Sequence, residues 1–340
     1  MNKCEGGARV KFVTMTISKI SIVVPLYNKS AYIARALDSA LTQTYQDYEI
    51  IVINDGSTDG SENIVKSYLK ENPKKITLIN QENQGVSIAR NTGIKHSQGE
   101  LIAFLDADDE WQPEYLETII SLREKYPAAG IYATAYYQMD ETSGKKNLIQ
   151  HKITNKPSLT LFSSYFRAIS LGPHPIMTSG IVIPKQILDK FGGFESGMPL
   201  GEDLLLWAKI ALYYPIAYCE EPLATCWINT NNNHKITAKK KTSEKIPFQE
   251  YLSAQNSEDE PFFESDDNIQ LYLSYLRVIQ AQEYAFSGDR KKALKALITA
   301  KHPKILPKKI GCLLYIILPM RVFRILLKIT GKFTKIGQTL

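Results

Sequence analysis

The chain has 340 residues, of which 44% are hydrophobic and 22% charged, and it carries 41 Lys and Arg against 35 Asp and Glu. This is the composition of a globular protein with length for one large domain or two. The absence of an arginine-rich arm or zinc-finger spacing argues against nucleic-acid binding. The four cysteines lack metal-ligand spacing, and no run of about 18 apolar residues indicates a membrane span.

The first third of the chain alternates apolar strands with amphipathic helices. Strands are predicted at 20–25, 48–53, 76–79 and 101–105, and helices at 31–43, after 60, and between Gly85 and Gly93. Pro25 is expected to end the first strand, because proline cannot donate to a ladder. Connections of this length predict right-handed crossovers and a mostly parallel α/β sheet.

Three carboxylates, Asp106, Asp108 and Asp109, follow the fourth strand within four positions. Like charges this close raise one another's pKa, so the cluster needs open water or a cation. A divalent ion is one solution, since Mg²⁺ takes one or two carboxylates and completes its shell with substrate phosphates. The alternative is a solvated acidic turn before the helix that begins near residues 111–113.

The ends of three parallel strands should meet at one edge of the sheet, which is where such sheets bind ligands. These ends carry Pro25 with Tyr27, then Asp55, then Asp106 with Asp108. The sequence contains neither Gly-x-x-x-x-Gly-Lys-Ser/Thr nor Gly-x-Gly-x-x-Gly, which disfavours a P-loop kinase and a Rossmann dehydrogenase.

Four motifs in this region occur in a fixed order: SIVVPLYN at 21–28, NDGSTD at 54–59, ARNTG at 89–93 and DADD at 106–109. Together they resemble glycosyltransferase family 2. The resemblance implies a GT-A fold, which is a Rossmann-like sheet flanked by helices. It also implies inverting transfer of a sugar from a nucleotide-sugar, most often a UDP-sugar.

The same resemblance implies roles for single residues of the nucleotide site. Pro25 and Tyr27 would line the base and ribose pocket, and Asp106 would reach the ribose. Asp55 would bind the uracil or ribose, unless it only forms a turn. Arg90 would lie near the base or the diphosphate, unless it is only a cation on the helix surface.

By the same resemblance, Asp108 would bind Mg²⁺ or Mn²⁺ that bridges the donor diphosphate. The chemistry agrees, because a diphosphate leaving group gains negative charge in the transition state and a metal stabilises that charge without a proton.

The second half contains a predicted strand at 131–137 with a hairpin turn at 140–146, and another strand at 179–184. The sequence FGGF at 191–194, followed by Glu202 and Asp203, resembles the acceptor-side motif of the family, where a carboxylate acts as general base. Asp203 is the predicted base and Glu202 the alternative. Both acids could instead favour the dipole of a helix.

Three further features of this half each have two interpretations. Trp207 could stack on an acceptor sugar or belong to the core. His174 could line the acceptor site or be structural. The polar loop 229–245 could close over the donor, with His234 or a lysine on the diphosphate, or be a solvated loop.

The C-terminal region begins with an acidic linker at 254–268 and a helical hairpin at 268–301, similar to one tetratricopeptide unit, which must pack on the domain or on a partner. Residues 303–335 are basic and apolar with no acid. This pattern predicts an amphipathic segment on an anionic membrane surface, or else a helix docked on the domain.

These features predict an N-terminal segment at 1–18, a nucleotide-sugar-binding half at 19–130, an acceptor-binding half at 131–245, and a helical extension with a basic tail at 246–340. The resemblance implies a metal-dependent, hexosyltransferase-type enzyme of bacterial cell-surface polysaccharide or lipopolysaccharide synthesis. Its acceptor would be a saccharide or lipid-linked saccharide, and its place the cytoplasmic face of the plasma membrane. The alternatives are a nucleotidyltransferase or an inactive scaffold.

Overall fold

The computed structural model describes residues 19–151, 159–198, 201–228, 245–255 and 263–317. The strands are β1 (Ile20–Leu26), β2 (Tyr48–Asp55), β3 (Ile76–Gln81), β4 (Leu101–Phe104), β5 (Glu110–Trp111), β6 (Ile131–Asp140), β7 (Lys146–Ile149), β8 (Leu159–Leu161), β9 (Ile181–Pro184) and β10 (Ile216–Ile228). The helices are α1 (Ile33–Leu41), α2 (Ser61–Glu71), α3 (Val86–His96), α4 (Tyr115–Lys125), α5 (Tyr165–Leu171), α6 (Lys185–Phe191), α7 (Glu202–Tyr213), α8 (Pro247–Ala254), α9 (Asp266–Phe286), α10 (Arg290–Thr299) and α11 (Leu306–Ile317).

The described strands form one mixed sheet in the order β3-β2-β1-β4-β9-β6-β10-β5, with β7 beside β6 and β8 beside β10. The pairs among β1, β2, β3 and β4 are all parallel, as the crossover pattern predicts. In the second half, β9 runs antiparallel to both β4 and β6, so it joins the parallel strands of the first half to those of the second half. The ends of β1, β2 and β4 therefore lie near the elements that follow β9.

Strand β1 is buried on both faces, and its residues are apolar except for Ser21. Ile22 and Val24 belong to an apolar cluster on one side of the sheet, and Val23 belongs to the cluster on the other side. The strand continues one residue past Pro25, so the prediction that proline ends it is wrong by that residue.

Helix α3 runs through Gly93 to His96, so the predicted helix end at Gly93 is wrong. A Cβ atom at Gly93 would lie 2.3 Å from Cγ1 of Val23. The glycine is needed for close packing of helix on strand rather than for a helix end, which brings α3 down onto the centre of the sheet.

The C-terminal helices pack on α5, in the second half of the chain. Tyr272 of α9 stacks on Phe166 of α5 with ring centroids 4.8 Å apart, and Phe248 of α8 meets both rings edge-on. The hairpin of α9 and α10 is confirmed. The predicted linker at 254–268 overlaps the ends of two helices, and its residues 256–262 lie outside the described ranges. Within those ranges, no helix combines the length and apolar character needed to cross a bilayer.

Candidate active site

The loops that follow β1 and β2 are tied together by hydrogen bonds between their motif residues. The backbone N–H of Asn28 donates to Ser57 Oγ at 3.1 Å, and its Oδ1 accepts from the Thr58 N–H at 2.8 Å. The Ser30 N–H donates to Asp59 Oδ2 at 2.8 Å. Asn28 has a φ of 51°, a left-handed conformation that asparagine tolerates better than most residues. The first two family motifs therefore build one rigid edge.

Pro25, Tyr27 and Asp55 lie at this edge. Pro25 is buried in β1, whereas Tyr27 is 36% exposed at its end. The buried Asp55 carboxylate accepts hydrogen bonds from Gln81 Nε2 at 2.7 Å and from the backbone N–H groups of Gln84 and Gly85 at 2.9 Å each. Asp55 thus holds the loop before α3, and its contact with a nucleotide stays a prediction.

Arg90 of α3 bridges the turn after β4 and the first residue of α7. Its Nη2 lies 2.8 Å from Asp106 Oδ1 and its Nη1 lies 3.1 Å from Glu202 Oε1. The residue is only 4% exposed, and its guanidinium lies 5.1 Å from the ring centroid of Phe194. Arg90 is therefore not a surface cation, and one buried guanidinium neutralises carboxylates that are 96 positions apart in the chain.

The next residue, Asn91, fixes the loop that follows α6 to the same helix. Its Oδ1 accepts from the Phe194 N–H at 2.9 Å, and its Nδ2 donates to the Phe194 carbonyl at 2.7 Å. Gly193 has a φ of 70°, and a Cβ there would lie 2.5 Å from Asn91 Oδ1. The ARNTG and FGGF motifs are thus two sides of one contact.

The Asp108 carboxylate contacts the ammonium group of Lys29, in the loop that follows β1. Lys29 Nζ lies 2.5 Å from Asp108 Oδ2, and both side chains are mostly buried. Arg35 Nη2 donates to the Asp108 carbonyl at 2.5 Å, and its guanidinium lies 4.1 Å from the ring centroid of Trp227. The acidic turn is therefore not merely solvated, and sequence reasoning missed the role of Lys29.

In the described part of the chain, no three His, Cys, Asp or Glu side chains form a group that could hold a metal by itself. The Asp108 carboxylate suits Mg²⁺ or Mn²⁺ only when diphosphate oxygens and water complete the shell. The residues fit a metal that arrives with a nucleotide.

Asp109, the third acid of the cluster, is buried and holds the strands together. Its Oδ2 accepts from Ser179 Oγ at 2.6 Å and its Oδ1 accepts from the Trp227 N–H at 3.0 Å. Burial, with the charges of Asp106 and Asp108, raises the pKa of this carboxyl well above its usual range. Ser179 also accepts from the Asp106 N–H at 3.0 Å, so this network positions the end of β4.

Glu202 and Asp203 occupy the first turn of α7, next to Arg90. Asp203 Oδ2 accepts from Thr178 Oγ1 at 3.3 Å, and Oδ1 accepts from the Leu204 N–H at 2.7 Å. Burial raises the pKa of Asp203, although the nearby Arg90 opposes the shift. Burial and the charge of Asp203 raise the pKa of Glu202. A raised pKa makes each of these two carboxylates a stronger base. Of the two, Glu202 is the one hydrogen-bonded to the Arg90 guanidinium.

Two other candidates belong to the framework. Trp207 is 1% exposed, so it is a core residue rather than a stacking platform. His174 Nε2 lies 2.9 Å from the hydroxyl oxygen of Tyr275, which ties it to α9. Burial and the nearby Lys308 lower the pKa of His174 to about 4, so it is neutral at pH 7. His234 and residues 229–244 lie outside the described ranges.

The mixed sheet in this strand order, with an acidic turn after β4 and helices on its faces, is the GT-A fold. The sequence profile of glycosyl transferase family 2 matches residues 21–191. An uncharacterised glycosyltransferase of Nostoc is 32% identical over 234 residues, which are 66% of this chain and 69% of that protein. The chain belongs to glycosyltransferase family 2.

Other relatives share parts of the chain or the fold alone. Glycosyltransferase GlyA of Streptococcus pneumoniae is 43% identical over 126 residues, which are 37% of this chain and 18% of GlyA. Residues 1–349 of Staphylococcus aureus TarS, solved with UDP-GlcNAc, superpose with a TM-score of 0.59 at 18% identity, covering 86% of this chain and 90% of that one. The mannosyltransferase PcManGT of Pyrobaculum calidifontis, solved with GDP-Man and Mn²⁺, gives 0.51 at 16% identity, covering 94% and 81%. These two structures establish the shared fold.

Proposed function

We propose that the chain transfers a sugar, with inversion, from a UDP-sugar to the hydroxyl of a saccharide or lipid-linked saccharide. The observation that carries this proposal is the Arg90 bridge from Asp106 to Glu202. The guanidinium contacts Asp106, which is proposed to reach the donor ribose. It also contacts the first residue of α7, the helix that carries the proposed base. Donor and acceptor groups therefore meet at one point of the sheet edge.

Asp203 is the proposed general base. An acceptor hydroxyl is a poor nucleophile until a positioned base takes its proton, and inversion requires that base on the face opposite the leaving group. Both acids begin α7, but Glu202 already accepts from Arg90. Glu202 is therefore proposed to position Arg90, while Asp203, which accepts only neutral donors, receives the proton.

On the donor side, Pro25, Tyr27, Asp55 and Asp106 are proposed to bind the nucleoside. Asp108 is proposed to hold Mg²⁺ or Mn²⁺, which would stabilise charge on the departing diphosphate. Lys29 lies against Asp108 and would have to move aside or turn toward a phosphate when donor binds. The UDP-GlcNAc in TarS supports a UDP donor, and the Mn²⁺ in PcManGT supports a metal.

We infer that the reaction belongs to the synthesis of a bacterial surface polysaccharide or lipopolysaccharide. The support is family membership together with bacterial relatives such as those of Nostoc and Streptococcus pneumoniae. Membership in a glycosyltransferase family favours this activity over nucleotidyl transfer, and the presence of Asp108 and Asp203 argues against an inactive scaffold.

The test is release of UDP from a panel of UDP-sugars with saccharide and lipid-linked acceptors, using wild type, Asp203→Asn and, as matched control, Asp189→Asn. Asp189 is an exposed acid of α6 whose side chain pairs with the half-buried Lys185 at 3.4 Å. We expect Asp203→Asn to lower turnover at least about 100-fold and Asp189→Asn to leave it unchanged. The product's anomeric proton coupling reports inversion. Turnover of Asp203→Asn near the wild-type rate, or a retained anomeric configuration, would overturn the mechanism.

A further inference from the structure

The end of the chain has a charge opposite to the rest. After Asp289 there is no acidic residue, and positions 290–340 contain 13 Lys and Arg. The preceding 289 residues contain the other 28 Lys and Arg and all 35 Asp and Glu, so they carry a net charge of −7. Such a separation of charge is not needed for folding, and it directs one region of the molecule toward an anionic partner.

Helix α11 presents a stripe of apolar side chains to solvent. The stripe consists of Leu306, Ile310, Leu313 and Ile317, which are 54%, 47%, 37% and 60% exposed. Their spacing of four, three and four places them on one face of the helix. Cys312 and Ile316 are buried on the inner face, so α11 docks on the domain and still leaves its outer face uncovered by the described residues.

The neighbouring α10 repeats this combination of apolar and basic residues. Ile298 is 74% exposed and Leu294 is 37% exposed. Lys291 and Lys295 lie three residues before them, so each lysine shares the face of an apolar residue. Both lysines are exposed, as is Lys301 in the connection to α11. Not every cation of the region is available, because Lys304 pairs with Asp267 at 3.1 Å and Lys309 donates to the Ala300 carbonyl at 2.7 Å.

We infer that the outer faces of α10 and α11 form a docking surface for an anionic lipid bilayer. Exposed apolar side chains enter the boundary between headgroups and acyl chains, while surrounding lysines neutralise lipid phosphates. A protein partner would explain the apolar stripe but not the loss of every acid over 51 positions. Residues 318–340 continue the same composition, with five Lys and Arg and no acid. This surface would hold the enzyme peripherally on the cytoplasmic leaflet, within reach of the lipid-linked acceptor proposed above.

The test is flotation of the full chain with vesicles of phosphatidylcholine alone and of phosphatidylcholine with phosphatidylglycerol. We expect binding to the anionic vesicles that weakens with added salt. Replacing Ile310, Leu313 and Ile317 by Ser should reduce binding more than tenfold, because each is an apolar side chain that enters the boundary. These residues are already exposed, so the variant should keep its fold, which circular dichroism checks.

A pair of lysine variants separates binding by this surface from the effect of lowering the net charge. Lys291, Lys295 and Lys301 replaced by Gln should lower affinity roughly 100-fold, since each lysine contributes about fivefold at such a surface. The same change at Lys70, Lys74 and Lys95, which are exposed on the donor side, should leave affinity nearly unchanged.

Several outcomes would overturn the inference. They are no binding to anionic vesicles, equal binding to neutral ones, or equal losses in both lysine variants. A fourth is a serine variant that floats like wild type. If this variant sediments as a monomer where the wild type sediments as a dimer, the stripe is an interface between copies of the chain. The assay needs neither donor nor acceptor, so its result is independent of the proposed transferase reaction.

Discussion

Replacing Arg90 by Met tests the bridge between the two sides of the site. Methionine keeps an apolar stem in place but leaves Asp106 and Glu202 without their shared cation. Each contact is worth roughly 4 kcal/mol of attraction at an effective dielectric near 20, and much of that is offset because the guanidinium must be desolvated. Removing one partner of such a buried pair costs about 3–5 kcal/mol, so we expect the free energy of unfolding to fall by that amount.

Urea unfolding followed by tryptophan fluorescence measures this loss, and pH provides a second readout. Burial already raises the pKa of Glu202, and losing Arg90 raises it further. A group whose folded pKa is raised stabilises the fold below its unfolded pKa, and this contribution is lost as pH rises through the folded pKa. The deficit of Arg90→Met should therefore be largest at neutral pH and shrink in mildly acidic buffer.

The matched controls are Arg290→Met and the double variant Arg90→Met/Glu202→Gln. Arg290 is exposed, so its replacement should change the free energy of unfolding by about 0.5 kcal/mol or less. The double variant has no stranded Glu202 charge and should recover roughly 1–3 kcal/mol relative to Arg90→Met. A loss below about 1 kcal/mol for Arg90→Met, or a loss independent of pH, would refute the bridge as a buried charge network.

Three further predictions follow from single contacts. Because burial raises the pKa of Asp203, the acid limb of the pH–rate profile should lie above the range of an ordinary aspartate, and a limb within that range would exclude it as the base. Lys29→Met removes the cation beside Asp108 and, with UDP present, should strengthen Mn²⁺ binding roughly fivefold in paramagnetic resonance, whereas unchanged binding would place the metal elsewhere. Gly93→Ala should destabilise the fold by about 1–3 kcal/mol, and adding Val23→Ala should relieve part of that loss, while strictly additive urea-unfolding energies would argue against the contact.

The first half of the fold could be predicted from sequence because its signals are local. Apolar runs bounded by turn residues gave β1, β2, β3 and β4 nearly at their observed positions. The helix end at Gly93 could not be predicted in the same way. Its reason is a contact with Val23, 70 positions away, and nothing in the surrounding sequence distinguishes a packing glycine from one that ends a helix.

The second half of the fold was harder to predict, because its arrangement also depends on contacts between distant parts of the chain. Strand β10 was missed although it pairs with β6 and β5, because its course is interrupted by irregular register near Pro222. The motifs in the sequence identified the candidate acids. They did not identify the side chains that contact these acids in the folded chain. The contacts of Lys29 with Asp108 and of Arg90 with Glu202 join residues from distant parts of the chain.

The most direct test of the account is calorimetric titration of the full chain with UDP, with and without Mn²⁺, using GDP as the control nucleotide. We expect UDP binding that depends on Mn²⁺, exceeds GDP binding and is lost in Asp108→Asn. No UDP binding, or equal binding with a chelator present, would leave the GT-A fold intact but contradict the proposed nucleotide and metal sites.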